Sequence, residues 1–171
     1  QIHRRKRPNT LQLDARINSY QLAGRMQLEA TDALDVNQES QATLDAYGVG
    51  KEPTDSYARR CLMARRLVER GVRYVQLYIN GQIWDSHTNL KNSLETACGR
   101  TDQPVTALLK DLKQRGLLDD VLLIWGGEFG RLPIAQINNK KNTTSAGRDH
   151  GPRGFSIWMA GGGIKPGITY G

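Results

Sequence analysis

The chain has 171 residues, of which 38% are hydrophobic; that suits one modest core, in one domain or a piece of a larger one. No run approaches the ~18 apolar residues that a membrane span requires, and the opening residues are too polar and basic to form a secretory signal. The net charge of +7 comes from 24 basic and 17 acidic residues, and part of the excess is local, in Arg4, Arg5, Lys6 and Arg7. That run reads as a solvated arm. No aromatic residue interleaves with it, so a stacking platform for nucleic acid is not indicated. Two cysteines, Cys61 and Cys98, are too few for a disulfide framework and are open to pairing or to burial as thiols. The chain does not begin with Met and is expected to be an internal or processed segment.

Residues 1–53 read as an N-terminal region of basic arm, helix and loop, ahead of an α/β segment over 54–171. Residues 11–35 carry Leu11, Leu13, Ile17, Leu22, Met26, Leu28 and Leu34 among polar groups, which predicts a partly buried helix. Residues 36–54, with Gly48, Gly50 and Pro53, predict an irregular loop. Thr54-Asp55 is a plausible N-cap for a helix to Arg70, with Gly71 at the position that ends it. Cys61, Ala64, Leu67 and Val68 give that helix an apolar stripe. Residues 72–79, Val-Arg-Tyr-Val-Gln-Leu-Tyr-Ile, predict a strand by their β-branched and aromatic content.

A loop from Asn80 to His87 ends in Trp84-Asp85-Ser86-His87. A short helix is expected over 89–98, and a second one opens at Thr101-Asp102-Gln103-Pro104 and closes at Gly116. Val105, Leu108, Leu109 and Leu112 recur at helical spacing on its apolar face. The five apolar residues 121–125, Val-Leu-Leu-Ile-Trp, predict a strand buried on both faces. Strand, helix, strand is a βαβ unit, so 72–79 and 121–125 are expected to be parallel. Residues 132–153 form a long polar loop that ends in Gly147-Arg148-Asp149-His150, and 155–160 predict a third strand.

The residues that carry chemistry fall in three clusters. Glu128 follows the buried strand in Gly126-Gly127-Glu128-Phe129-Gly130-Arg131, at the carboxyl edge where α/β sheets bind ligands. Its bland alternative is a salt bridge with Arg131. Asp85 and His87 are spaced to point to one side of an extended loop, and carboxylate with imidazole suits a divalent ion; the alternative is a capping Asp beside a surface His. Trp84 is expected to anchor that loop, and Ser86 is weak evidence for a nucleophile. Asp149 and His150 are adjacent in a glycine-flanked loop, and the planar fork of Arg148 matches an anionic oxygen group; the alternative is a solvated loop. Two of the three histidines thus neighbour an aspartate. Cys61-Leu62-Met63-Ala64-Arg65 has the spacing of a sulfatase nucleophile but lacks its Pro and Ser, and reads as core helix.

Several runs taken together resemble a known family: Cys61 to Leu77, Trp84-Asp85-x-His87, Leu112 to Asp119, Trp125 to Arg131, Gly147 to His150, and Met159 to Ile164. The chain is similar, from residue 11 onward, to domain of unknown function 1501, sulfatase-like proteins of the alkaline phosphatase superfamily. The resemblance implies a three-layer α/β/α sandwich with a mostly parallel sheet, incomplete in this chain. It also implies an exported or periplasmic protein with a divalent, two-metal site, the ions being Zn, Mn, Ca or Mg. Where the superfamily has an Asp-His-Gly metal turn, this chain has Gly127-Glu128-Phe129-Gly130, with Glu for Asp and Phe for His.

The reading is therefore part of a metal-dependent hydrolase of phosphate or sulfate esters, the remainder of whose domain lies outside this chain; either a hydroxyl nucleophile supplied there or a metal-bound water would attack. Asp85, His87, Glu128, Asp149 and His150 are the candidate metal ligands, and Arg131 and Arg148 the candidates for holding the anionic ester substrate. The alternative is a non-catalytic sulfatase-like protein that keeps the fold and a metal. A third reading is polyanion binding through the basic arm.

Overall fold

The computed structural model describes residues 11–137 and 145–171, and of residues 11 and 25–30 the backbone alone. The basic cluster at 4–7, the Asn- and Lys-rich part of the long loop at 138–144, and the Leu11, Met26 and Leu28 side chains lie outside this description.

Helix α1 spans Leu11–Leu34, as the pattern predicts. Tyr20 and Leu22 are exposed, and the helix docks by its end, where Ala33 is buried. Residues 36–54 are not the irregular loop expected. A 3-10 turn, Val36–Gln38, is capped by Asp35, whose carboxylate accepts from the Asn37 amide. Helix α2, Gln41–Tyr47, starts where Ser40 accepts from the Thr43 amide and ends at left-handed Gly48. Val36, Tyr47 and Val49 are buried. Three apolar residues so far apart give no periodic signal, yet burying them, with a cap at each end, suffices to order the segment.

Helix α3 spans Asp55–Glu69, and Gly71 follows it at φ +84°, the left-handed position predicted for it. Thr54 precedes the helix without capping it. Its hydroxyl donates backward, to the Gly48 carbonyl at 2.7 Å and the Lys51 carbonyl at 3.0 Å. Cys61 lies fully buried on the inner face, and burial pushes its thiol up to about 12, as suits a core residue and not a nucleophile. Both cysteines are free thiols.

The two helices expected over 89–98 and 101–116 are one, α4, Leu90–Gln114. Thr101 does not start a helix; its hydroxyl donates to the Ala97 carbonyl at 3.0 Å inside the continuous one. Pro104 forfeits one backbone bond, but it is fully buried, and packing against the core outweighs the loss. Tyr47, Val49, Tyr57, Cys61, Leu62, Leu108 and Leu112 share one core, so residues from both sides of the predicted 53/54 boundary pack together.

Strand β1, Leu122–Trp125, is half-buried and not buried on both faces. Leu123 and Trp125 pack on the core, whereas Leu122 and Ile124 are exposed. Its partner is β4, Trp158–Gly161, paired antiparallel with Trp125 opposite Trp158. The stretch 72–79 runs without regular secondary structure and with Val75, Leu77 and Ile79 less exposed than their neighbours. Among the described residues it forms no ladder with β1, so the expected parallel pair is not formed there. Arg60 donates to the Tyr78 carbonyl at 2.6 Å instead. The second sheet is a short antiparallel pair, β2 (Gly130–Arg131) and β3 (His150–Gly151). No helix among the described residues is long and apolar enough to cross a membrane.

Candidate metal centre

Backbone pairing brings three distant segments side by side. Thr88 bridges to Ala146, and Gln136 bridges to Gly147. The Asn89 and Leu90 amides donate to the Ser145 and Ala146 carbonyls, at 2.7 and 3.0 Å, and the Arg148 amide donates to the Ser86 carbonyl at 2.9 Å. On the other side the Leu132 amide donates to the Asp149 carbonyl at 2.9 Å. Residues 145–151 are therefore held between 86–90 and 130–136. Gly147 is what permits this closeness, because a Cβ there would lie 2.0 Å from the carbonyl carbon of His87. Trp84 anchors its loop as expected, edge-on to Trp125 at 6.0 Å, and Trp125 stacks in turn on Trp158 at 6.2 Å.

The outcome is a cluster of Asp85, His87 and His150. Asp85 Oδ1 lies 3.0 Å from His87 Nε2 and 3.1 Å from His150 Nε2. The two Nε2 atoms are 3.2 Å apart. Ligands about 2.0–2.1 Å from one ion stand about 3.3 Å apart in a tetrahedron and about 3.0 Å apart at adjacent octahedral corners. The three atoms thus form a triangle of the size that a single divalent ion requires. The cluster is open to solvent, since the Asp85, His87 and His150 side chains are 31%, 34% and 44% exposed.

Further contacts orient these three side chains. His87 Nδ1 lies 2.8 Å from Gln136 Oε1, and a carbonyl oxygen only accepts. This contact orients the ring so that Nε2 faces the triangle. The Phe129 ring packs on His150 at 4.7 Å and limits its rotation. Arg131 donates from Nη2 to Asp85 Oδ1 at 2.6 Å. This bond, then the one with His150, holds the Asp85 carboxyl below the usual carboxylate range.

Of the seven residues singled out in sequence, four meet here: Asp85, His87, His150 and Arg131. Asp149 lies at the edge. Its Oδ1 accepts from the His150 amide at 2.8 Å and is 3.8 Å from His87 Nδ1, so it shapes the turn. Arg148 Nη1 donates to the Leu132 carbonyl at 2.9 Å and ties the loop to the strand beside it. Glu128 is exposed and has no partner among the described residues, and Arg131 is paired with Asp85 instead of with it. Ser86 is buried, with no hydrogen-bond partner for its hydroxyl among the described residues, and does not open onto solvent. Gln136 escaped sequence reasoning, because a glutamine in a polar loop carries no signal until the pairing with Gly147 is known.

No curated protein and no solved structure matches the chain. A family model described as a protein of unknown function does match it, over residues 1–171, and the chain belongs to that family, DUF1501.

Proposed function

We propose that the chain is part of a metal-dependent hydrolase of phosphate or sulfate esters, in a sulfatase-like α/β/α domain. The observation that carries the metal is the convergence of Asp85 Oδ1, His87 Nε2 and His150 Nε2 within 3.0–3.2 Å, with His150 more than 60 residues from the other two in sequence. Two imidazoles and one carboxylate favour a transition ion such as Zn or Mn over Ca or Mg, which prefer oxygen shells. Three protein ligands leave positions open, as catalytic sites do.

The bound ion supplies a Lewis acid toward an ester oxygen. The chain's residues hold the rest in place. Gln136 orients the ring of His87, Phe129 limits the ring of His150, and Trp84 holds the Asp85 loop on β1. Arg131 has the fork that fits a phosphate or sulfate group, while Arg148 acts as a strut. Turnover of aryl phosphate and aryl sulfate esters by metal-loaded protein in its full-length form tests the activity. Hydrolysis abolished by Asp85→Asn is expected, and its absence across several esters with metal bound would remove the hydrolase. A non-catalytic metal-binding protein is the second reading, favoured by the exposed Glu128 and by Phe129 in place of an imidazole.

A further inference from the structure

Three nitrogens surround Asp85 Oδ1: Arg131 Nη2, which donates to it at 2.6 Å, His87 Nε2 at 3.0 Å and His150 Nε2 at 3.1 Å. The shortest of these contacts comes from the group that carries a permanent positive charge. We infer that the Arg131 guanidinium is the internal stand-in for the cation, that metal binding displaces it from Asp85, and that the freed fork then takes a tetrahedral oxyanion, so that metal loading gates anion binding. This rests on the proposal that Asp85, His87 and His150 hold a metal ion.

Three features support the exchange. Metal and guanidinium need the same oxygen, and two cations on one carboxylate oxygen repel each other at short range. Arg131 is otherwise weakly held: its remaining contacts, to the Arg148 and Trp84 carbonyls, are 3.4 and 3.5 Å long. Loss of one ion pair therefore frees the head group while the stem stays fixed. Finally, Arg131 lies directly opposite His150 in the β2–β3 register, so a displaced guanidinium remains next to the ion's open positions. In the ion-free arrangement its charge is already neutralised by Asp85, which leaves little for an oxyanion to bind.

Binding is symmetric between the two ligands, so an anion that needs metal must strengthen metal binding by the same factor. The test uses the whole chain, with Mn(II) followed by electron paramagnetic resonance and inorganic sulfate followed by calorimetry. The wild type should bind sulfate at least tenfold more tightly with Mn(II) than without it. Arg131→Gln, which keeps a neutral donor near Asp85, should bind Mn(II) about tenfold more tightly than the wild type and lose the sulfate coupling. Arg131→Lys, checked for folding by circular dichroism alongside it, should keep part of the coupling.

Weaker Mn(II) binding by Arg131→Gln would overturn the inference, because Arg131 would then be supporting Asp85 as a ligand. Equal sulfate affinity with and without Mn(II) in the wild type would overturn it as well, while leaving the metal centre itself standing. If neither the wild type nor Arg131→Gln binds Mn(II) or Zn(II), the metal centre fails and the gate fails with it. Binding by Arg131→Gln alone would sustain the metal centre but overturn the gate, because the wild type could then not be loaded.

Discussion

In the helical part of the chain Arg65 is 2% exposed and faces three carboxylates, whereas in the part that carries the site Ile124 of β1 is 58% exposed. The first region buries charges in a network of ion pairs, and the second leaves one face of a strand, Leu122 and Ile124, in water. Arg65 donates to Glu69 and sits 2.7 Å from Glu39 and 3.0 Å from Asp111, which also accepts from the Tyr47 hydroxyl. Arg66 adds bonds to Glu39 and to the Ala33 carbonyl. These contacts lock α1, the 3-10 turn and α2 onto α3 and α4. The site region has strands of two to four residues, held by backbone bonds, three tryptophans and glycine-permitted close approaches. A ligand bound at the site would add to the stability of the second region.

The sharpest way to break this contrast is to cut the charge network. Arg65→Met leaves Glu39, Glu69 and Asp111 facing one another around an apolar side chain. Arg66 and Arg115 still reach some of these carboxylates, so the expected loss is about 3 kcal/mol, the lower end for breaking a buried pair. Urea unfolding followed by far-ultraviolet dichroism measures it, and a loss under ~1 kcal/mol would place Arg65 with ordinary surface ion pairs. A smaller effect, confined to the other half, is expected from Gly147→Ala. The added methyl meets the His87 backbone, so the strips 86–90 and 145–148 must part. Metal affinity should fall by about 10–100-fold, as when a supporting contact of a ligand is lost, with the helical unfolding midpoint nearly unchanged. A fall in that midpoint matching the Arg65 variant's would erase the distinction between the halves.

The same contrast decides what was legible in the sequence. Helix α1, the stripe through Cys61 and the glycine stops at Gly71 and Gly116 follow from local chemistry, and they stand where expected. The split of α4 into two helices did not survive, because Thr101 and Pro104 carry the marks of a helix start while tertiary packing holds them mid-helix. Asp85, His87 and His150 were visible as acid–imidazole pairs among glycines. Their meeting was not, since it depends on long-range pairing of 86–90 with 145–148 that leaves no periodic trace. The carboxyl-edge rule that points to Glu128 presumes a buried parallel strand. β1 is half-exposed and antiparallel to β4, and the turn after it leaves Glu128 in solvent.

Metal stoichiometry measured by equilibrium dialysis with elemental analysis tests the centre most directly, on the wild type, His150→Ala, Asp85→Asn and Glu128→Gln. The account predicts one Zn(II) or Mn(II) per chain in the wild type and in Glu128→Gln, and loss of the ion in His150→Ala and Asp85→Asn. Retention of the ion by both of the latter variants, or its loss in Glu128→Gln alone, would contradict it.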